Sequence, residues 1–290
     1  INGFKAFRSY WNEHPDRDDA WKQAEMGRIG EERFRREHDC EFLVADETLI
    51  NSIKLRELMG TNPAFQQGQV RWYKQPEANK VYMVALDPSL GTGGDYAAIE
   101  VFESPTMIQI AEWQHNKTPV QKQISVLREI TQRLVDAAGA ESVYYSLENN
   151  TLGEAALVTI NEIGEENFPG EFVHEPRRNH VSGRSRKGLN TNVRSKAMAC
   201  SKFKTLVETN RIDLRSKMLI RQLKFFVAKG DSFAAKPGEY DDVVMSTLIA
   251  VRIMSILTNW DDRIGDLLRD ELEIEEQLEP MPIAMAVGFR

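Results

Sequence analysis

Four acidic residues lie at the ends of predicted apolar elements in this sequence. Asp87 ends one apolar run, Glu148 follows a second, and Asp241 and Asp242 open a long apolar helix. If the two runs are parallel neighbours in a sheet, Asp87 and Glu148 lie at the same edge, about 5 Å apart. Carboxylates this close repel one another unless a cation lies between them. Oxygen ligands without His or Cys indicate Mg²⁺ or Mn²⁺, and two such ions catalyse phosphodiester hydrolysis.

Each acid also has a simpler explanation. Asp87 could only end a strand, and Glu148 could belong to a turn. Asp241 or Asp242 could cap a helix and favour its positive end. Because the acids occur together on the elements that would bring them to one place, a shared site is the better explanation.

The order of predicted elements is that of an α/β fold, a mixed sheet flanked by helices. Three apolar runs joined by short turns, over 80–87, 96–102 and 107–113, predict an antiparallel meander. A helix capped by Thr118 leads to a fourth run over 142–147, which favours parallel pairing with the first run. The remaining predicted helices lie over 152–163, 191–209 and 240–257, and a further one follows Asp18 and Asp19 and runs to about Arg36. Residues 41–43 are a short strand or a docking segment, 171–173 a short strand, 58–75 a loop and 225–235 a hairpin.

The glycine-rich segment from Gly91 to Asp95 could suggest a phosphate-binding loop. No lysine follows it and a strand comes next, so it fails the P-loop pattern. The segment fits better a tight turn that points Asp95 back toward Asp87. Since no complete P-loop motif occurs in the sequence, this chain alone is not expected to hydrolyse ATP.

The charge is unevenly distributed over the 290 residues, whose net charge is -7. Residues 176–207 contain basic residues and no acidic ones, whereas acids dominate over 261–279. A basic run can be a solvated face, but beside the acidic edge it would neutralise DNA phosphates with little sequence preference. The candidate DNA-binding residues are Arg177, Arg178, Arg184, Arg186, Lys187, Arg194 and Lys196.

The composition excludes several classes of protein. Hydrophobic residues make up 41% and charged residues 28%, which is typical of a globular chain rather than a disordered one. No apolar run is long enough to span a membrane. Cys40 and Cys200 lie far apart and form no metal-binding pair, which is typical of a reducing cytosol. The polar start at Ile1 predicts a fragment or a processed product without a secretory signal.

Four stretches together resemble the nuclease part of the large terminase subunit of tailed, T4-like bacteriophages. They are ALDPSLGTGGDYAAIEVF (85–102), YYSLENN (144–150), SKAMACSKFKTLVETNRI (195–212) and EYDDVVMSTLIA (239–250). Their order and spacing carry the resemblance more than any single motif. Upstream, HPDRDDAWKQ and IGEERFRREHDCEFL resemble the segment that closes the family's ATPase domain, so the likeness covers about residues 10 to 258.

The resemblance implies an RNase H-like fold and a metal-dependent endonuclease that cuts concatemeric viral DNA during packaging. By match, Asp87, Glu148 and Asp242 fall on the three catalytic, metal-binding carboxylates, and Asp95 falls on a further acidic position in the family's glycine-rich turn. Asp241, which spacing alone does not separate from Asp242, could share a metal. Two Mg²⁺ or Mn²⁺ ions are the implied cofactors. The implied partners are double-stranded DNA, the capsid portal and the small terminase subunit, and the implied location is the host bacterial cytoplasm, transiently at the procapsid portal. The family's ATPase motifs are missing, so DNA translocation is not assigned to this chain.

We therefore predict four segments and keep two rival functions. The segments are a remnant of the ATPase domain (1–45), a linker (46–78), the nuclease domain (79–259) and an acidic tail (260–290). The tail could be disordered, compete with DNA for the basic stretch, or bind a partner. The first rival is another RNase H-like enzyme, such as a junction resolvase or a transposase. The second is a non-catalytic module that docks on the portal or the small terminase subunit.

Overall fold

The computed structural model describes residues 10–30, 34, 37–39, 48–176, 187–230 and 232–260. Within these residues the strands are β1 Phe65–Gln67, β2 Val70–Trp72, β3 Val81–Asp87, β4 Ala97–Ser104, β5 Ile108–His115, β6 Val143–Leu147, β7 Glu171–Phe172, β8 Phe226–Lys229 and β9 Ser232–Ala235. The helices are α1 Asp19–Ile29, α2 Ser52–Glu57, α3 Val120–Ala138, α4 Thr151–Ile163, α5 Val193–Glu208, α6 Lys217–Leu223 and α7 Asp242–Trp260.

Strands β1 to β7 form one mixed sheet in the order β1-β2-β5-β4-β3-β6-β7. β3, β4 and β5 are the predicted antiparallel meander. α3 then carries the chain to β6, which pairs with β3 in parallel, and β7 pairs in parallel with β6. The predicted α/β architecture is confirmed, and β3 joins the antiparallel half of the sheet to the parallel half.

Helices cover both faces of this sheet. Side chains alternate across β3, so that Met83 and Ala85 pack with residues of α5, α6 and α7, whereas Tyr82 and Leu86 pack with residues of α3 and α4. β4 is buried along its whole length, as expected of a strand covered on both sides. By the same alternation, Asp87 at the end of β3 lies on the face that carries α7.

Helix α7 is the element that brings its acidic first turn to the sheet. It is strongly apolar and packs against β3, β4 and β6. The Ser246 hydroxyl donates a hydrogen bond to the backbone oxygen of Ala85 at 2.8 Å. This bond ties the second turn of α7 to the middle of β3, two residues before Asp87.

The prediction of a loop over residues 58–75 is wrong at residues 65–67 and 70–72, where the chain forms β1 and β2. These strands pair with each other, and β2 pairs with β5, so the hairpin extends the sheet. Val70 and Trp72 are buried, and the Trp72 ring stacks on Phe65 with ring centroids 5.8 Å apart. Strands of three residues are too short to show a period in the sequence, and the surrounding Gly, Asn and Pro residues hid them.

Two predicted helices differ from the structure at their ends. α1 ends at Ile29, short of the predicted Arg36. α3 begins one residue later than predicted because Pro119 is its cap, and the Thr118 hydroxyl bonds to His115 instead. The hairpin β8–β9 and the helices α4, α5 and α7 lie where the sequence predicted them, within a few residues.

Several predictions fall outside the described residues. These are the strand over 41–43, residues 177–186 of the basic segment, and the acidic tail apart from Trp260. The division of the chain into a remnant, a linker, a nuclease domain and a tail therefore stays a prediction. None of the helices in the described ranges combines the length and the apolar character that crossing a membrane requires.

Candidate active site

Asp87 and Glu148 meet at the carboxyl ends of two parallel strands. Leu86 of β3 lies opposite Leu147 of β6, and the Glu148 N–H donates to the Leu86 oxygen at 3.1 Å. Glu148 is 7% exposed, and its carboxyl group lies within hydrogen-bonding reach of Asp87. Burial, followed by the charge and hydrogen bond of Glu148, raises the pKa of Asp87 well above its usual range. The pair therefore shares a proton, or it needs a cation when both groups are ionised.

Asp242 joins this pair from the first turn of α7. It is 9% exposed, and its Oδ2 is buried with no hydrogen-bond partner among the described residues. Burial is the main cause that raises the pKa of Asp242 to about 7, and the charges of Asp241 and Asp95 add to it. The charges of Asp242 and Asp241 in turn raise the pKa of Asp87. These acids therefore share one electrostatic environment.

Neither aspartate at the start of α7 caps the helix. The N–H groups of Val243 and Val244 donate to Gln222 Oε1 at 3.0 and 3.3 Å. Asp241 Oδ2 accepts instead from the Ala235 N–H of β9 at 3.2 Å. Helix capping was the simplest explanation for acids at this position, and this geometry removes it. Sequence reasoning missed Gln222 because a neutral amide in no motif gives no signal.

The start of α4 holds Glu148 in place. Asn150 Nδ2 donates to Glu148 Oε2, and Asn150 Oδ1 accepts from the Gly153 N–H at 3.0 Å. Gly153 lies so close to Glu148 that an added Cβ would meet the Glu148 backbone oxygen at 1.9 Å. Leu189 pairs with Glu148 as an isolated parallel bridge. These contacts fix the backbone of Glu148, and the Asn150 amide orients its carboxylate.

Asp95 is exposed at the end of the glycine-rich turn between β3 and β4. The turn is held by a hydrogen bond from the Gly93 N–H to the Asn116 oxygen at 2.8 Å. Gly91 has φ +70°, and a Cβ there would lie 2.1 Å from the Thr118 oxygen, so only glycine fits. The segment is thus a tight turn against the loop before α3, and Asp95 acts on Asp242 through its charge.

The predicted DNA-binding residues are only partly described. Arg177, Arg178, Arg184 and Arg186 lie outside the described residues. Lys187 donates to Glu165 Oε2 at 2.6 Å and to Asn161 Oδ1 at 2.7 Å, so its charge is paired within the protein.

Arg194 is exposed on the first turn of α5. Lys196 is half-buried, with its Nζ 5.4 Å from the centroid of the Phe226 ring. The chain reaches α5 directly from Leu189, the residue that pairs with Glu148. The first turn of α5 therefore follows the acidic edge closely along the chain, and the phosphate-binding role of these residues stays a prediction.

The acids fit a hard divalent cation, although they are not yet arranged around one. In the described parts of the chain, no three His, Cys, Asp or Glu side chains are placed to hold a metal ion as they stand. The donor set is carboxylate oxygen, as Mg²⁺ and Mn²⁺ prefer. The unpartnered Oδ2 of Asp242 and the close contact of Asp87 with Glu148 are both features that a cation would resolve. The carboxylates must rotate to share one ion.

No protein-family profile matches this sequence. Among solved structures, the chain is similar to the large terminase nuclease from thermophilic phage G20c. The structure with bound magnesium has a TM-score of 0.53 at 15% identity and covers 72% of this chain and 98% of that chain. The structure with bound cobalt gives the same values, and another crystal structure of that nuclease has a TM-score of 0.52 at 15% identity over 70% of this chain and 97% of that one. This chain therefore has the RNase H-like fold of a large terminase nuclease domain.

Proposed function

We propose that this chain is a metal-dependent DNA endonuclease, the nuclease domain of a tailed-phage large terminase. The observation that carries the proposal is the convergence of Asp87, Glu148 and Asp242, together with the buried Asp242 oxygen that has no partner in the described chain. The G20c nuclease, which shares the fold, has been solved with bound magnesium and with bound cobalt. A divalent cation at the acidic edge would offset the burial and mutual repulsion that raise these pKa values, and it would give the unpartnered oxygen a partner.

The acids have one proposed role, which is to hold two Mg²⁺ or Mn²⁺ ions. Asp87, Glu148 and Asp242 are the principal ligands, with Asp241 and Asp95 beside them. Bound ions of this kind activate water and stabilise the attacking and leaving oxygens of phosphodiester hydrolysis. No side chain of the cluster needs to act as the sole general base, because a bound cation lowers the pKa of water.

The polypeptide around the acids orients them. The Asn150 amide holds one oxygen of Glu148, and the backbone amide of Tyr96 favours the ionised form of Asp242, lowering its pKa. Rigid strand ends and a helix start are suitable supports for such a site, because their backbones do not move independently. The protein thus fixes the positions of the carboxylates, while the ions would supply most of the positive charge at the site.

The proposed substrate is concatemeric double-stranded viral DNA. Arg194 and Lys196, together with the arginines of residues 177–186, would neutralise backbone phosphates, which carry little sequence information. Weak sequence preference follows from such contacts. The capsid portal and the small terminase subunit are the proposed protein partners, and the host bacterial cytoplasm is the proposed location.

Plasmid cutting by the full chain tests the function. The wild type should nick and linearise supercoiled plasmid in Mg²⁺ or Mn²⁺, and EDTA should abolish the reaction. Asp87→Ala and Asp242→Asn should slow cutting by about a hundredfold or more, since even outer contacts of metal ligands are worth 10- to 100-fold. Asp136→Asn, at an exposed residue of α3 bonded to Gln132, is the matched control and should cut at the wild-type rate. Cutting that survives Asp87→Ala unchanged would remove Asp87 from the mechanism.

The same preparation separates the rival functions. A clear preference for four-way junctions over linear duplex would favour a resolvase, and a requirement for specific DNA ends would favour a transposase. Binding to the portal or the small terminase subunit without any metal binding in calorimetry would favour a non-catalytic docking module.

A further inference from the structure

The first turn of α7 is capped by a side chain from another helix. Gln222 lies in α6, is 5% exposed, and accepts hydrogen bonds with one oxygen from the N–H groups of Val243 and Val244. Because α7 begins at Asp242, these are the second and third amides of the helix. They are the amides that the side chain of a capping residue ordinarily satisfies.

The ordinary capping residue at this position would be Asp241. It directly precedes the helix, and aspartate is among the residues most favoured there. Since Gln222 already occupies both amides, Asp241 accepts instead from the Ala235 N–H of β9. Asp242 in turn keeps a buried oxygen with no partner among the described residues. The neutral amide of Gln222 thus caps α7, as the carboxylate of Asp241 would otherwise do.

The start of α6, the helix that carries Gln222, is held by hydrogen bonds that lead back to the sheet. Gln109 of β5 accepts from the N–H groups of Arg215 and Ser216 at 2.8 Å each, and its amide donates to Glu100 of β4 at 2.6 Å. The Ser216 hydroxyl oxygen then accepts from the Leu219 N–H at the start of α6. These hydrogen bonds hold the start of α6 against β4 and β5. They therefore fix the position from which Gln222 contacts α7.

We propose that Gln222 is a positioning residue for the cation site, because it caps α7 in place of Asp241 and leaves Asp241 and Asp242 available as ligands. The inference rests on the proposed function, since it concerns ligands of the same cation. Loss of the Gln222 oxygen leaves two buried amides without an acceptor, and Asp241 stands at the position whose side chain ordinarily satisfies them. Asp241 would then turn from Ala235 onto the helix and would no longer be available to the cation.

Calorimetry with Mn²⁺ on the full chain tests this inference without any need for cutting. Gln222→Met keeps the size of the side chain but removes the acceptor, and should weaken Mn²⁺ binding about tenfold or more. Gln222→Glu keeps an acceptor oxygen at the same reach and should bind Mn²⁺ at least as tightly as the wild type. If Gln222→Met does not fold, Gln222→Asn replaces it, since the shorter amide does not reach Val243 and Val244.

A matched control separates positioning from general loss of stability. Leu134→Ala creates a cavity under α3 on the opposite face of the sheet, where Leu134 is fully buried. It should lower the unfolding temperature and leave Mn²⁺ affinity unchanged. Equal weakening of Mn²⁺ binding in Leu134→Ala and Gln222→Met would overturn the inference.

A double-mutant cycle tests the expected movement of Asp241. Asp241→Ala should lower the unfolding temperature more in the Gln222→Met background than in the wild type, because Asp241 caps the helix only there. Equal shifts in the two backgrounds would overturn the inference.

The failure of the function and the failure of the inference give different results. No Mn²⁺ binding by the wild type would overturn the cation site, and the positioning role with it. Wild-type binding that is retained in full by Gln222→Met would overturn the positioning role alone.

Discussion

The backbone oxygen of Glu148 lies against Gly153 so closely that a Cβ on the glycine would meet it at 1.9 Å. The residue type at position 153 therefore decides whether Glu148 can keep its place beside Asp87. A side chain of any size would push the first turn of α4 and the end of β6 apart.

Gly153→Ala is accordingly expected to lower the free energy of unfolding by about 1–3 kcal/mol, as overpacking does in a tight interior. It should also weaken Mn²⁺ binding, because the Glu148 backbone must shift. Thermal unfolding and calorimetry measure the two effects. Gly27→Ala is the matched helical control, since a Cβ there meets nothing within 4 Å. Wild-type Mn²⁺ affinity in Gly153→Ala would contradict the expected shift.

The metal-free protein should lose stability as the pH rises. The pKa of Asp242 is raised from 3.8 to about 7 in the folded chain, so between these values the folded state holds a proton that the unfolded state has released. The stabilising effect of that proton is complete below the lower value and is lost as the pH rises through the upper one. Thermal unfolding in EDTA should therefore show a falling unfolding temperature over this range, and Asp242→Asn should flatten the slope. A slope that is unchanged in Asp242→Asn would show that another group causes it.

Cation binding should reverse this loss of stability. At a Mn²⁺ concentration a hundred times the dissociation constant, binding to the folded state alone adds about 2.7 kcal/mol. The added stability should be largest near neutral pH, where the acids are otherwise uncompensated, and absent in Asp242→Asn. Thermal unfolding with and without Mn²⁺ measures it, and equal stabilisation of the wild type and Asp242→Asn would place the cation elsewhere.

Glu100 is a buried carboxylate that the proposed mechanism does not use. It is fully buried opposite Glu112, and burial followed by the Glu112 charge raises the pKa of Glu100 well above its usual 4.5. The proton on Glu100 stabilises the folded chain fully below pH 4.5, and this effect is lost as the pH rises through the raised pKa. Relative to the wild type, Glu100→Gln should therefore gain about 1–2 kcal/mol of stability as the pH rises. Denaturant unfolding at two pH values checks this.

The opposing residue supplies the control for Glu100. Glu112 accepts from the Tyr73 hydroxyl at 2.6 Å and pairs with Arg71 at 2.8 Å. Glu112→Gln removes the buried partner of a partly exposed arginine and should destabilise the fold. No gain in the stability of Glu100→Gln over the wild type as the pH rises would contradict the account of Glu100.

Arg133 should hold the β1–β2 hairpin on the sheet. Its guanidinium lies 4.9 Å from the Phe65 ring centroid and 5.0 Å from that of Trp72, and it donates to Gln67 and Gln75. Arg133→Ala should cost about 1–2 kcal/mol of unfolding free energy through the lost cation–π contacts and hydrogen bonds. Arg128→Ala, at an exposed position of the same helix, should be nearly neutral. Denaturant unfolding measures both variants, and equal effects would show that the contacts of Arg133 contribute nothing.

The central sheet could be predicted because its strands are long and apolar. The apolar runs that form β3 to β6 are long enough to be distinguished from the turns between them. The helix between β5 and β6 favours parallel pairing of β6 with β3. β1 and β2 could not be predicted, since their pairing depends on burial of Trp72 and on Arg133, which lies 61 residues further along the chain. Such short strands form because of tertiary contacts, and the few residues in them show no periodic pattern of apolar side chains.

The acids of the site could be found because a charge at the end of an apolar run is conspicuous. The groups that hold them, Gln222 and Asn150, are neutral amides and gave no such signal. Lys187 is a residue for which a conspicuous charge misled the prediction. It belongs to a basic run in the sequence but pairs with Glu165 in the structure. Which charges remain available for DNA depends on partners that only the folded chain brings together.

Anomalous scattering from a crystal soaked in Mn²⁺ would locate the cation. We expect one or two peaks between Asp87, Glu148 and Asp242, within coordination distance of carboxylate oxygens that have rotated to meet them. The absence of any peak among these three residues at saturating Mn²⁺, or a peak bound only by other residues, would contradict this expectation.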